Sequence, residues 1–362
     1  MMRNVRLGRT ELCVGEIGIG CWAIGGPFKN LGLASGWDGA NDQRAKEGLM
    51  TAIDMGANLF DTADVYGFGR SERLVGWMLQ KIQREDVVKR EKMVVATKVG
   101  YFQGCAEHPY LPLHMRSQLE MSLHNLETSY IDIYWFHHLD FGEGDRYLEG
   151  AIDQMKRFWR EGSIRFIGLR GPHKFSPSRN KNSSEAARSL SHFFRLADAI
   201  DPDVISLRYN ALSRKYDTQE TDLFKWAEER DLGIVLYKPL AQGLLLDKYH
   251  PKCPPEFSSG DHRSRKDWFE SKGLTVLKER LTIVKQEFNC ITTKDLVQLA
   301  IKYCLSRSEN ACVLVGFRTA DQLRESLSTS GRLTKSQCEM LRKIFIGVAD
   351  EIGDFINSRG DT

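Results

Sequence analysis

Short apolar runs alternate with longer amphipathic stretches along this chain, and that alternation limits the folds open to it more than any single motif does. Strands are expected over Glu16–Cys21, Asn58–Phe60, Met93–Thr97, Ile131–Phe136, Ile164–Gly168, Val204–Leu207, Gly233–Tyr237 and Ala311–Val315. Helical spacing fills the intervals, from Asn41-Asp42 to the stop at Gly56, then over Glu72–Gln83, Met115–Leu126, Leu148–Arg160, Glu185–Ala199, Thr221–Arg230 and Asp295–Leu305. On the third of these, Met115, Leu119, Leu123 and Leu126 share one face. Eight strands alternating with helices predict a (β/α)8 TIM barrel. A doubly wound dinucleotide fold would place G-x-G-x-x-G at the start of a helix after the first strand, and no such motif stands there.

Four segments lie outside the bare repeat. Residues 1–15 read as a small hairpin around Gly8-Arg9, and Gly25–Gly39 as a long glycine-rich loop. Residues 247–273 read as a long loop after the seventh strand, followed by an extra helix over Leu274–Phe288, and residues 334–357 as an added C-terminal helix. No low-complexity linker interrupts the 362 residues, so one domain over 1–362 is expected. A net charge of +3 produces no strong field, which argues against nucleic acid or an anionic membrane as a partner. No apolar run approaches the ~20 residues needed to span a bilayer, and the N-terminus has no apolar h-region. Eight scattered cysteines without a C-x-x-C pair point to reduced thiols, a cytoplasmic location and no metal site.

A barrel of this kind carries its chemistry at the carboxyl ends of the strands. The second strand ends at Asp61 with Tyr66 in the loop beyond, the third at Lys98 and the fourth at His137. Each alone has an ordinary reading, as a turn residue, a packed ring or a surface charge; together they bring an acid, a phenol, an ammonium and an imidazole to one rim. Tyr66 is placed to protonate a carbonyl oxygen, with Lys98 expected to draw its pKa down from ~10 and Asp61 to keep Lys98 charged. His137 would set the geometry. Its neighbour His138 must face the other way and is read as structural.

The segments GIGCWAIGG, FDTADVYGFGRSE, ATKVG, EGSIRFIG, YKPLAQGLLLDKY and VLVGFRTADQLRES, with Tyr130, Asp132, Tyr134, His137 and Asp140 between them, resemble the aldo-keto reductases in composition and order. Within that family the chain is similar to the branch holding potassium-channel β subunits and bacterial sugar or aldehyde reductases. The resemblance implies Tyr66 as general acid with Asp61, Lys98 and His137 as partners, NADPH as cofactor and a small carbonyl compound as substrate. It places Gly20, Trp22, Arg170, Ser206 and Tyr237 towards the nicotinamide, with Tyr237 stacked on the ring. Pro239, Leu240, Gln242, Gly243 and Lys248 fall at the pyrophosphate, and Gly316, Arg318, Gln322 and Glu325 at the adenosine, with Arg318 favouring a 2′-phosphate.

The chain also departs from that pattern. Where the family reads Gly-x-Ser-Asn after the fifth strand, this sequence has Gly168-Leu169-Arg170-Gly171; Ser206 replaces a glutamine and Ser326 an asparagine. The nicotinamide amide therefore has fewer partners, and Arg170 either serves it, swings to solvent, or puts a positive charge in the site that suits an anionic substrate group. Two other functions stay open: a cofactor-binding regulatory subunit without turnover, and a non-reductive enzyme such as an epimerase. Trp22 and Trp37 either wall a substrate pocket or pack at the rim, and the basic cluster Arg263, Arg265 and Lys266 reads as a solvated charged loop. Neither substrate nor oligomeric state is legible in the sequence.

Overall fold

Strands covered on both faces need no polar alternation, which is why the barrel strands read as near-continuous apolar runs. In the computed structural model, which describes residues 2–172, 183–212 and 222–352, they form a closed parallel barrel. The strands are β1 (Ile17–Gly20), β2 (Leu59–Asp61), β3 (Val94–Val99), β4 (Ile131–Phe136), β5 (Ile164–Arg170), β6 (Val204–Arg208), β7 (Gly233–Tyr237) and β8 (Ala311–Gly316), each bonded to its sequence neighbours, with β8 closing on β1. The helices are α1 (Asp42–Asp54), α2 (Arg70–Arg84), α3 (Pro112–Leu126), α4 (Leu148–Arg160), α5 (Ser183–Ile200) and α6 (Leu223–Glu229). After β7 come α7 (Ser271–Glu287) and α8 (Thr293–Leu305), and after β8 α9 (Ala320–Leu327), α10 (Lys335–Ile344) and α11 (Val348–Ile352).

Local chemistry explains most boundaries. Asn41 caps α1, its side-chain oxygen accepting the Arg44 N–H at 3.0 Å, so Asp42 is the first helical residue. Thr292 and Asp295 form a reciprocal capping box on α8. Two expectations change. The added C-terminal helix is two helices, α10 and α11, because Gly347 at φ +76° turns the chain between them. The loop 25–39 holds a small antiparallel pair, Lys29–Asn30 with Leu33–Ala34, turned by Leu31 and Gly32 at positive φ. The loop expected over Pro172–Ser184, the Thr221 start of the sixth helix and the C-terminal helix beyond 352 fall wholly or partly outside the described residues.

The core has two compartments. Outward-facing strand residues such as Phe60, Val95, Tyr134 and Phe136 pack against the helices, while Leu59, Val94, Ile133, Trp135, Val204 and Val235 fill the barrel interior. The interior cluster continues into Val5, Leu7, Leu12 and Val14, so the N-terminal hairpin (Asn4–Arg6 paired with Cys13–Gly15) plugs the amino-terminal end of the barrel. Gly8, at φ +55°, is required there, because a Cβ would lie 2.2 Å from the Gly233 nitrogen. Among the described residues no helix is long and apolar enough to cross a membrane.

Candidate active site

Alternation along each strand decides what the mouth of the barrel presents. Leu59 points inward, so Asp61 does too; Ala96 sets Lys98, and Ile133 and Trp135 set His137. The same parity brings Ser206 and Arg208 in after Val204, Tyr237 after Val235, and Gly316 after Leu314. Gly168 leaves room for the Trp135 ring, which a Cβ would meet at 2.1 Å, and two residues on Arg170 faces the pocket. Thr97, of opposite parity, donates its hydroxyl outward to Glu72 at 2.7 Å.

Asp61, Tyr66, Lys98 and His137 line one pocket. The Lys98 ammonium donates to Asp61 Oδ1 at 2.5 Å and to the Thr62 carbonyl, and it lies 5.1 Å from the centroid of the Tyr66 ring. The Tyr66 ring meets His137 edge-on at 5.8 Å and is stacked towards Trp22 at 6.1 Å. Burial works against the ion pair, raising the Asp61 carboxyl and lowering the Lys98 ammonium, while each partner opposes the shift in the other. Burial first, then the Asp61 charge, holds the Tyr66 phenol well above 10, with Arg170 opposing. The expected downward pull of Lys98 on the phenol does not prevail: two of its three ammonium hydrogens go to Asp61 and Thr62, and the cation that opposes the rise is Arg170.

His138 sits outside this group. Its Nδ1 accepts the Asp140 N–H at 3.1 Å, so its Nε2 carries the hydrogen and donates to the Gly100 carbonyl at 2.7 Å. Burial lowers its pKa to about 4.

From this centre a groove runs between β1 and β8, where Gly20 and Gly316 present no side chain, towards α9. Beyond β7 the backbone has positive φ at Lys238, Ala241, Gln242 and Gly243. That winding forms a cradle lined by Pro239, Leu240, Gln242 and Gly243. Both polar atoms of the Gln242 side-chain amide are buried there without a hydrogen-bond partner. Gly243, at φ +90°, stands in a backbone conformation that favours glycine. Burial, then repulsion from Arg318 and Arg263, lowers Lys248 to about 8. Arg318 is held by its backbone N–H donating to Gln322 Oε1 at 2.8 Å, and Glu325 completes that end.

Residues 16–346 match the family model described as the aldo/keto reductase family. The chain belongs to the aldo/keto reductase family. It is 25% identical to the NADH-specific methylglyoxal reductase of Escherichia coli (strain K12) over 354 residues, 95% of this chain and 98% of that protein. It is also 25% identical to aldo-keto reductase yakc [NADP(+)] of Schizosaccharomyces pombe, over 86% of this chain and 83% of that one. Among solved structures, a glycerol dehydrogenase from Gluconobacter oxydans superposes with a TM-score of 0.71 at 24% identity, covering 99% and 98% of the two chains.

One feature of this aldo/keto reductase differs from the sequence reading, and a second narrows its alternatives. The cluster Arg263, Arg265 and Lys266 is no solvated loop: Arg263 and Lys266 are buried, and so are His262 and Asp261. Arg263 donates to both Asp261 oxygens at 3.0 and 2.7 Å and stacks on Trp37 and Phe257 at 4.3 Å. The segment 258–265 is stitched to the first loop: the Gly36 N–H reaches Gly260 O at 2.9 Å, Asp38 N–H reaches Asp261 Oδ2 at 2.7 Å, and Arg265 reaches Ala34 O at 2.8 Å. Trp37 is packed against this strap and lines the pocket together with Trp22, which stands beside Tyr66. Second, Arg170 turns inward: its Nε donates to the Tyr237 hydroxyl at 3.2 Å and its Nη1 to the His137 carbonyl at 3.4 Å. Ser206 stays buried, its carbonyl accepting the Gly171 N–H at 2.8 Å. Sequence reasoning missed Arg208, two residues past Ser206 on the same face, and Tyr101, whose ring meets His137 at 4.5 Å. The strand period was the signal for Arg208; Tyr101 lies in a loop and carries none.

Proposed function

We propose that this aldo/keto reductase reduces an aldehyde or ketone to an alcohol, with NADPH as hydride donor and Tyr66 as general acid. The observation that carries the reading is the convergence of Asp61, Tyr66, Lys98 and His137 at one end of a groove whose other end is cationic. The groove fits a dinucleotide phosphate on its own chemistry. Gln242 has orphaned amide atoms, the backbone beside it is wound through positive φ at Ala241, Gln242 and Gly243, and the ammonium of Lys248 stands near two guanidiniums. Lys248 and Gln242 would hold the pyrophosphate and Arg318 a 2′-phosphate; Tyr237 would lie against the nicotinamide.

When bound, NADPH supplies hydride to the carbonyl carbon. Tyr66, held protonated, gives its proton to the carbonyl oxygen as negative charge develops there. His137 and the Tyr66 hydroxyl fix that oxygen. Arg170, the cation that opposes the rise of the phenol, limits the cost of the phenolate left behind, and Lys98 offsets the Asp61 charge that would add to that cost. The altered residues at Arg170, Gly171 and Ser206 favour a second reading, cofactor binding without turnover.

Titration of tryptophan fluorescence with NADPH and with NADH, followed by a carbonyl screen, tests both. The expected result is micromolar or tighter binding with NADPH preferred, turnover of at least one aldehyde, and a loss of ~10²–10⁴ in kcat for Tyr66→Phe with NADPH affinity retained. Binding without turnover selects the second reading, and no binding of either nucleotide removes the first.

A further inference from the structure

Among the described residues Arg170 is a cation without a counter-ion. Its hydrogen bonds go to neutral acceptors, the Tyr237 hydroxyl on β7 and the His137 carbonyl beyond β4, and its guanidinium lies 4.8 Å from the Tyr237 ring centroid. Among the described residues no carboxylate is paired with it; Asp61 feels its charge but is already engaged by Lys98. A guanidinium taken from water into a pocket lined by Tyr66, Tyr101 and Tyr237, and held only by dipoles, is stabilised most by an anion. The Nε hydrogen and one Nη1 hydrogen are spent on Tyr237 and His137, so the free edge is the one spanned by Nη1 and Nη2. That edge offers two parallel donors at carboxylate spacing.

Position fixes how close the anion must be to the reacting carbon. Arg170 binds the backbone of the residue whose ring touches Tyr66, and both arginine and phenol line one pocket. The acceptor for Arg170 is therefore on the same small molecule as the carbonyl that Tyr66 protonates, a carbon or two away. Arg208, on the next strand in register with Tyr237, lines the same wall.

We propose that Arg170 is a specificity-determining residue that binds the carboxylate of a short oxo acid, so that the substrates of this site are carbonyl compounds bearing a carboxylate beside or one carbon removed from the carbonyl. This rests on the reductase reading of the site. It assigns Arg170 to the substrate and leaves the nicotinamide amide to Ser206 and its surroundings.

The test uses protein saturated with NADP+, and unliganded protein in parallel, titrated calorimetrically with oxamate and with its neutral counterpart oxamide. Wild type binds oxamate at least ten times more tightly than oxamide. Arg170→Gln abolishes the difference and Arg170→Lys, which keeps the charge without the fork, restores part of it. In turnover, the ratio of kcat/KM for glyoxylate to that for glycolaldehyde falls about 10- to 100-fold in Arg170→Gln, the range expected for loss of a charge-assisted pair. Equal binding of oxamate and oxamide by wild type overturns the proposal. So does an Arg170→Gln protein that loses NADP+ affinity with the ratio unchanged, which would place Arg170 on the nicotinamide, or a preference for a phosphorylated aldehyde over glyoxylate. If neither aldehyde is turned over, the reductase reading fails while the oxamate titration still decides the role of Arg170. A wild-type protein that discriminates, with both variants unfolded by near-ultraviolet circular dichroism, supports carboxylate binding through the oxamate preference itself.

Discussion

His137 and His138 stand side by side at the end of β4 and do opposite work. His137 faces the pocket, while His138 is fixed between the Asp140 N–H and the Gly100 carbonyl and held neutral, its pKa lowered to about 4. The folded chain therefore binds no proton at His138 over a window in which the unfolded chain, with an imidazole near 6.5, does. Stability from this residue is present above about pH 6.5 and is lost as pH falls towards about 4, on the order of 3 kcal/mol in all. His138→Gln should flatten the urea-midpoint profile across that window and leave the profile above pH 7 unchanged in slope. That only one of the two histidines faces inward was legible from strand alternation, and the resemblance to the family selected His137. The state of Tyr66 was not, because sequence names Lys98 as a neighbour without showing how deeply the phenol is buried or how near the Asp61 charge lies.

At the level of elements, the eight strands and the helices between them were readable because fully covered strands leave apolar runs and helices leave a 3.6-residue period. The strap formed by 258–265 was not. Its buried charges look on paper like a solvated loop, and only the geometry reveals that Asp261 and Arg263 satisfy each other beneath Trp37 and Phe257. Asp261→Ala strands the Arg263 guanidinium in that layer and should cost about 3 kcal/mol or more. Hydrogen exchange would locate the damage: the Gly36 and His262 amides, which bridge the two loops, lose protection while amides of β3 and β4 keep theirs. Adding Arg263→Met to that variant removes the stranded charge and should recover part of the loss. The break at Gly347 belongs to the same class of miss, since a glycine inside an amphipathic pattern signals a turn only when its φ is known.

The molecule as a whole is a well closed at one end. Leu7, Leu12, Val5 and Val14 seat the hairpin in the amino-terminal end of the barrel, and Gly8 lets the turn lie against Gly233. Gly8→Val forces a side chain into backbone at a positive φ and should lower global stability by about 2 to 3 kcal/mol. Amide protection should fall together on all eight strands, with nucleotide affinity at the far mouth unaltered in the protein that remains folded. At that mouth, the stitching of the first loop to the seventh has a consequence for how such a protein can change. Asp38 and Ser258 are 220 positions apart in the chain, yet the Ser258 N–H donates to Asp38 at 2.7 Å and the Asp38 N–H to Asp261. A loop transplanted from another barrel arrives without its mate, so retargeting this pocket by exchange means replacing both segments at once: they are a single inheritable part written in two places.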